Sequence, residues 1–272
     1  MKTPKISVLM PAYNADQYIV EAIESILNQT FTDFEFIIID DCSTDKTWEI
    51  IKEYAKKDKR IIAIKNEKNL KLSATLNKGI DICKADYIAR MDADDWSYPD
   101  RFKKQYEVIS KDPKIGILGG TMEVCDEKLE VKNIRKYHKD DKEIRRHIFK
   151  YSPFCHATTM YRKNIVQDIG KYNINLYDAE DYDLYFRIGQ ISEFKNIDDT
   201  LYRMRYNENS VSNTRARRQE FLTIYIRLKS IVEYNYKMPI ADKIYTLTQL
   251  FSMLIIPSKY KAKLFNFIRS KI

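Results

Sequence analysis

Ile6-Ser7-Val8-Leu9-Met10-Pro11-Ala12-Tyr13-Asn14 is an apolar run that stops at a turn composition. Beyond it the period changes: Tyr18, Ile19, Ala22, Ile23, Ile26 and Leu27 recur at helical spacing. A buried strand followed by an amphipathic helix is expected. The pattern recurs along the chain. Phe34-Glu35-Phe36-Ile37-Ile38-Ile39 is a second apolar run, halted by Asp40-Asp41. Ser43 or Thr44 is expected to cap the next helix, whose apolar face carries Trp48, Ile51, Tyr54 and Ala55. Ile61 to Ile64 reads as a third strand and Leu72 to Ile82 as a third helix. Tyr87 to Met91 reads as a fourth strand, running into Asp92-Ala93-Asp94-Asp95. The order β-α-β-α-β-α-β predicts an α/β fold, a mostly parallel sheet with helices on both faces. Ligands of such sheets bind outside the carboxyl ends of the strands. Three polar clusters fall there: Tyr13-Asn14, Asp40-Asp41 and Asp92 to Asp95.

The Asp92–Asp95 cluster carries the chemistry. Carboxylates this close repel unless a cation neutralises them, and oxygen ligands suit Mg²⁺ or Mn²⁺ shared with a substrate phosphate. A solvated turn is the alternative for the cluster taken alone. No GxGxxG follows the first strand and no GxxxxGK[ST] occurs, which disfavours dinucleotide and P-loop chemistry.

The chain has 272 residues, enough for one large α/β domain with or without a small appendage, and 44% apolar content supports a core. The net charge of +8 admits an anionic ligand, a membrane surface or nucleic acid. Cys42, Cys83, Cys125 and Cys155 form no CxxC pair, which fits reduced thiols and disfavours zinc. His138, His147 and His156 lack metal-ligand spacing. Met1 to Lys5 leads straight into the first strand with no signal segment. A cytoplasmic location is therefore expected.

The second half is less regular. Ile115 to Gly120 reads as a strand and tight turn, Lys139 to Lys150 as a charged helix, and Phe154 to Arg162 as an interrupted strand. Asp178-Ala179-Glu180-Asp181-Tyr182-Asp183-Leu184 is a second acidic cluster that opens a helix, where carboxylates also favour the helix dipole.

Several of these strings, taken together, resemble the inverting family-2 glycosyltransferases of the GT-A fold. They are Ser7 to Asn14, Ile26 to Phe31, Ile39 to Asp45, Asp92 to Asp95 with Pro99-Asp100-Arg101, and His156-Ala157-Thr158 ahead of Glu180-Asp181. The resemblance runs from about residue 5 to 210, and Asp92-Ala93-Asp94 looks like that family's DxD motif. One departure is Lys71, within Asn69 to Ser73, where members often carry Gly.

The resemblance implies a GT-A domain over 1–213, with a nucleotide-sugar half over about 1–98 and an acceptor half over 99–213. It implies a nucleotide-diphosphate sugar donor, most often a UDP-sugar. Pro11, Tyr13, Asp41, Asp92 and Asp94 would bind the donor: Tyr13 against the base, Asp41 accepting from a base N–H, Asp92 at the ribose or supporting the metal. Asp94 would hold Mn²⁺ or Mg²⁺, with Asp95 a close alternative. Asp181 would be the general base. Glu180, His156, Trp96 and Arg203 are secondary or acceptor candidates: His156, Arg203 and also Arg205 would meet the diphosphate or acceptor, and Trp96 and Tyr98 would stack on sugar rings or pack under the acceptor lobe. For Asp40 a cap on the turn is the preferred role.

Residues 214–272 read as a basic amphipathic helical extension, from Arg215-Ala216-Arg217-Arg218 through Leu247 to Leu254 and on to Lys259, Lys261, Lys263, Arg269 and Lys271. Such a segment suits peripheral contact with the inner face of the cell membrane, or packing on the domain. The expected acceptor is a glycan or a lipid-linked glycan. Basic residues are not interleaved with a recognisable nucleic-acid module, so no nucleic-acid partner is expected. A non-catalytic sugar-nucleotide-binding or scaffold protein on the same fold is the alternative.

Overall fold

The computed structural model describes residues 3–206 and 216–255. Strands β1 (Ile6–Ala12), β2 (Phe34–Asp40), β3 (Ile61–Lys65) and β4 (Tyr87–Arg90) are parallel and lie in the order β3-β2-β1-β4. Helices α1 (Ile19–Leu27), α2 (Thr47–Lys57) and α3 (Leu72–Ile82) connect them. Every residue of β1 and β2 is buried. Alternation along the strands feeds two cores. Val8, Met10, Phe36 and Ile38 pack with Ile23 and Ile26 of α1, whereas Leu9, Ile37 and Ile39 pack with Leu76 and Ile80 of α3. Burial on both faces is why these strands are unbroken apolar runs.

The chain continues through β5 (Trp96–Ser97), α4 (Arg101–Ile109), β6 (Ile115–Cys125), β7 (Val131–Arg135), α5 (Asp141–His147), β8 (Met160–Arg162), α6 (Lys163–Asp168), α7 (Glu180–Ile191) and β9 (Glu193–Arg205). The sheet extends from β4 as β8-β6-β9-β5, with β7 on the edge of β6. Strand β8 is antiparallel to β4 and β6, and β5 is antiparallel to β9, while β6 and β9 are parallel. The expected class, a mixed and mostly parallel sheet flanked by helices, is present.

Three local expectations are corrected. No turn follows Gly120: β6 runs on to Cys125. Gly119 and Gly120 serve close packing, since a Cβ on Gly119 would meet Asn196 Oδ1 at 2.4 Å and one on Gly120 would meet Leu201 Cδ1 at 2.4 Å. Neither Ser43 nor Thr44 caps α2, which starts at Thr47 with no side-chain cap. Instead Ser43 Oγ accepts the Asn14 N–H (3.0 Å) and Asn14 Oδ1 accepts the Thr44 N–H (2.9 Å), so the loops after β1 and β2 are tied together. The stretch from Phe154 is a 3-10 turn, His156–Thr158, before the short β8.

Two further helices are α8 (Ala216–Val232) and α9 (Ile240–Ile255). Leu222 and Ile226 of α8 enter the second core. Arg227, 2% exposed, reaches the Tyr182 hydroxyl, Gln249 Oε1 and the Lys150 carbonyl. Arg215 and the basic residues Lys259 to Lys271 lie outside the described residues. Among the described residues no helix is long and apolar enough to cross a membrane.

Candidate active site

The candidate site lies where β1, β2 and β4 end. Leu9 O accepts the Met91 N–H, so Pro11, two residues on, faces the same edge just past the end of β4. A missing N–H costs no ladder bond there. Pro11 itself is buried in β1, and Tyr13 beyond it is 51% exposed with its ring free for a flat ligand.

Asp40 and Asp41 play different parts. Asp40 Oδ2 accepts the Ser43 N–H (3.2 Å), the turn-capping role expected of it. Asp41 is buried and accepts three bonds: Asn66 Nδ2 at 2.8 Å, Leu70 N–H at 2.8 Å and Lys71 N–H at 2.9 Å. Its carboxylate thus fixes the 69–71 loop, with one acceptor position left over. Lys71, where the resemblance expects Gly, has φ +70° and ψ 166°, a conformation that suits Gly. Its side chain is exposed.

Asp92, Asp94 and Asp95 each offer a carboxylate oxygen, all within 4.8 Å of one another. The loop is held from three directions. The Asp92 N–H donates to the Tyr202 hydroxyl (3.1 Å), and the Arg205 N–H donates to Asp95 Oδ1 (2.7 Å). Arg205 Nη1 donates to the Asp94 carbonyl, with its other nitrogens on Glu127 O and Glu21. Arg205 is therefore committed to the loop backbone. Asp94 reaches solvent at the mouth of the cleft but is crowded by protein, and that desolvation with the neighbouring Asp92 charge pushes its pKa up to about 6. Asp95 is 2% exposed, and burial followed by the Asp94 and Asp92 charges holds it well above the carboxylate range. Three crowded carboxylates, two of them with raised proton affinity, are a donor set that fits a hard divalent cation.

Beneath this loop lies Arg90, which sequence reasoning missed as a site residue. It ends β4, is 2% exposed, and pairs with Asp92. Its Nε has no hydrogen-bond partner among the described residues. The Arg90 charge acts on Asp94, Glu180, Asp181 and His156 alike. One buried cation thus links the metal-type cluster to the acidic start of α7. The signal in the sequence was a charged residue closing an otherwise apolar strand, which needs a buried partner. Arg101, 0% exposed, supports the same strand end by donating to the Arg90 carbonyl (2.8 Å); burial pushes its pKa down to about 10.

At the start of α7, Glu180 is buried and its Oε2 accepts the Asp178 N–H (2.8 Å). Burial and then the Asp181 charge push Glu180 up to about 7. Asp181 accepts the Tyr182 N–H (2.8 Å), and its pKa is raised by burial, opposed by that bond and by Arg90. His156 shares a 2.7 Å hydrogen bond with the Tyr172 hydroxyl, and burial and then Arg90 hold it well below its usual pKa, so it is neutral. Trp96 pairs with Arg203 across β5 and β9. The Arg203 guanidinium lies 5.2 Å from the Trp96 ring and 5.4 Å from the Tyr98 ring, with Nε on Glu123 Oε2 (2.9 Å). Arg203 is thus held in an aromatic wall and already neutralised by Glu123.

A second group, His138, Glu143 and His147, also clusters. Its two imidazoles stack at 4.0 Å and 17°, so their in-plane lone pairs run nearly parallel and do not converge on one ion.

The sequence signature of glycosyl transferase family 2 matches residues 7–170. The chain is 38% identical to an uncharacterized glycosyltransferase of Methanocaldococcus jannaschii over 232 residues, 83% of this chain and 79% of that one. It is 33% identical to the putative glycosyltransferase EpsE of Bacillus subtilis over 273 residues, 96% and 94% of the two chains. In fold it is similar to residues 1–349 of Staphylococcus aureus TarS in complex with UDP-GlcNAc, with a TM-score of 0.71 at 20% identity, covering 92% of this chain and 72% of that one. Full-length TarS is longer, and the chain spans 44% of it at a TM-score of 0.68. The mannosyltransferase PcManGT of Pyrobaculum calidifontis, in complex with GDP-Man and Mn²⁺, gives a TM-score of 0.68 at 15% identity, covering 94% and 71%. The structural likenesses establish the GT-A type of fold, and the signature and relatives establish the family: this chain belongs to glycosyl transferase family 2.

Proposed function

We propose that this enzyme moves a sugar from a nucleotide-diphosphate donor, a UDP-hexose or UDP-N-acetylhexosamine, to a hydroxyl of a glycan or lipid-linked acceptor, with inversion. The observation that carries this reading is the group of Asp92, Asp94 and Asp95 carboxylates, within 4.8 Å of one another just past the end of β4 and backed by the buried Arg90 that pairs with Asp92. A donor diphosphate would be held there, with an acceptor base on the opposite side of the anomeric carbon. The UDP-GlcNAc bound by TarS supports the donor class.

Residues 1–213 would form the catalytic domain, 1–98 holding the donor and 99–213 the acceptor, with 214–272 as an extension. Tyr13 stacks on the base, and Asp41 offers its remaining acceptor position to a base N–H. Asp92 faces the ribose. Asp94, with Asp95 and Asp92, would hold Mn²⁺ or Mg²⁺. When bound, such an ion supplies charge stabilisation to the departing diphosphate. Asp181 takes the proton of the acceptor hydroxyl as that oxygen bonds to the anomeric carbon and the bond to the β-phosphate oxygen breaks. Burial raises its proton affinity, which favours taking a proton, and the Arg90 charge opposes that rise. Glu180, His156, Trp96 and Arg203 shape the acceptor side. The expected setting is polysaccharide or glycolipid assembly in the cytoplasm, with peripheral contact at the inner face of the membrane.

The test is a panel of UDP-, GDP- and dTDP-sugars, measured for binding and slow hydrolysis with and without Mn²⁺. Metal-dependent binding of one nucleotide class is expected. Binding of none, in either condition, would contradict the proposal.

A further inference from the structure

The faces of α9 are reversed. Asp242 is 2% exposed and Thr246 is 4% exposed, and Gln249 accepts a 2.7 Å bond from Arg227 of α8. These polar residues point into the protein. On the opposite side Leu247 is 64% exposed, Phe251 65% and Ile255 66%, with Ile240 and Ile244 continuing the stripe at helical spacing. A helix packed on a water-soluble domain shows the opposite arrangement. Helix α8 adds Phe221, Tyr225 and Leu228, exposed at i, i+4 and i+7. Outward apolar stripes of this extent mark a surface that is covered by something else.

Charge identifies what covers it. Residues 214–272 hold twelve Lys and Arg against three Asp and Glu, so residues 1–213 sum to one negative charge and the whole +8 excess lies in this extension. Beyond Ile255 the sequence carries Lys259, Lys261, Lys263, Arg269 and Lys271 with no acidic residue, interspersed with Leu264, Phe265, Phe267 and Ile268. A second copy of the chain would bring like charge against like. An anionic lipid surface offers both an apolar layer and opposite charge.

We infer that the outer face of α9 seats on a membrane surface rich in anionic lipid. This rests on the peripheral contact proposed above and assigns it a face and a lipid chemistry. Helix α8 connects that face to the candidate base: Arg218 pairs with Asp178 at 3.3 Å, and Arg227 Nε donates to the Tyr182 hydroxyl at 3.3 Å, either side of Glu180-Asp181.

The experiment is co-sedimentation of the full chain with phosphatidylcholine vesicles, with and without phosphatidylglycerol, beside its mass in solution. The wild type is expected to bind only the phosphatidylglycerol vesicles and to be released by salt. Lys259→Gln/Lys261→Gln/Lys263→Gln should weaken binding on the order of a hundredfold. Leu247→Glu/Phe251→Glu, at exposed positions, should abolish binding while donor binding is kept. No binding by the wild type, equal binding to both vesicles, or a dimer that Leu247→Glu/Phe251→Glu splits into monomers would overturn the inference. Vesicle binding without donor binding would sink the glycosyltransferase mechanism and leave this inference standing. Donor binding without vesicle binding would do the reverse.

Discussion

Arg90 and Glu180 sit in one electrostatic field and respond to it in opposite ways. Arg90 is a buried cation beside several carboxylates, so ionisation favours it. Glu180 is buried beside Asp181, and its pKa is pushed up to about 7 from 4.5. The folded state therefore binds a proton that the unfolded chain has released between those values, and stability falls as pH rises through that window. Glu180→Gln removes the titration. The variant should gain on wild type from pH 4.5 to 7, by on the order of 2 kcal/mol at the upper end, read from urea unfolding at several pH values. A gap that does not vary with pH would contradict the assignment. Lys71 is strained for another reason: a side chain stands at φ +70° so that its N–H can reach Asp41. Lys71→Gly should keep that bond and raise stability by about 1 kcal/mol in thermal melts, since relief of the strain exceeds the added entropy of the unfolded glycine.

Among the elements, β6 and β9 form the longest strand pairing. A Cβ on Gly119 would meet Phe154 Cδ1 at 2.7 Å as well as Asn196 Oδ1. Gly119→Val should cost about 1–3 kcal/mol, measured as a lowered denaturation midpoint with unchanged m-value. An unchanged midpoint would mean the two strands can part there freely. This pairing was also the least legible part of the sequence. Strands β1 and β2 announced themselves because burial on both faces makes them apolar runs, and β3 and β4 by shorter apolar runs that end at Lys65 and Arg90. Strand β9 carries Lys195, Asn196, Asp198, Asp199 and Thr200, is exposed over part of its length, and slips register against β6. No period-2 signal survives that. Strand β5 is two residues long and exists only because Trp96 and Ser97 meet β9. The motif residues of the site were readable because they follow strand ends. Arg90 was not, because it lies within a strand and its role comes from partners at distant positions.

At the scale of the whole molecule, the charge is divided: a nearly neutral catalytic part and a strongly basic extension. In the proposed reading, the acidic clusters at the strand ends and the outward apolar faces of the C-terminal helices serve different partners, a nucleotide sugar and a lipid surface. In the proposed mechanism the Asp92–Asp95 group would hold the donor through a divalent cation while Asp181, across the anomeric carbon, serves as base. The most direct measurement is UDP-sugar binding and turnover with Mn²⁺ for wild type, Asp94→Ala and Asp181→Asn. Asp94→Ala should lose metal-dependent binding. Asp181→Asn should keep binding and lose turnover by about a hundredfold or more. Turnover retained in Asp181→Asn, or donor binding unchanged in Asp94→Ala, would contradict the account.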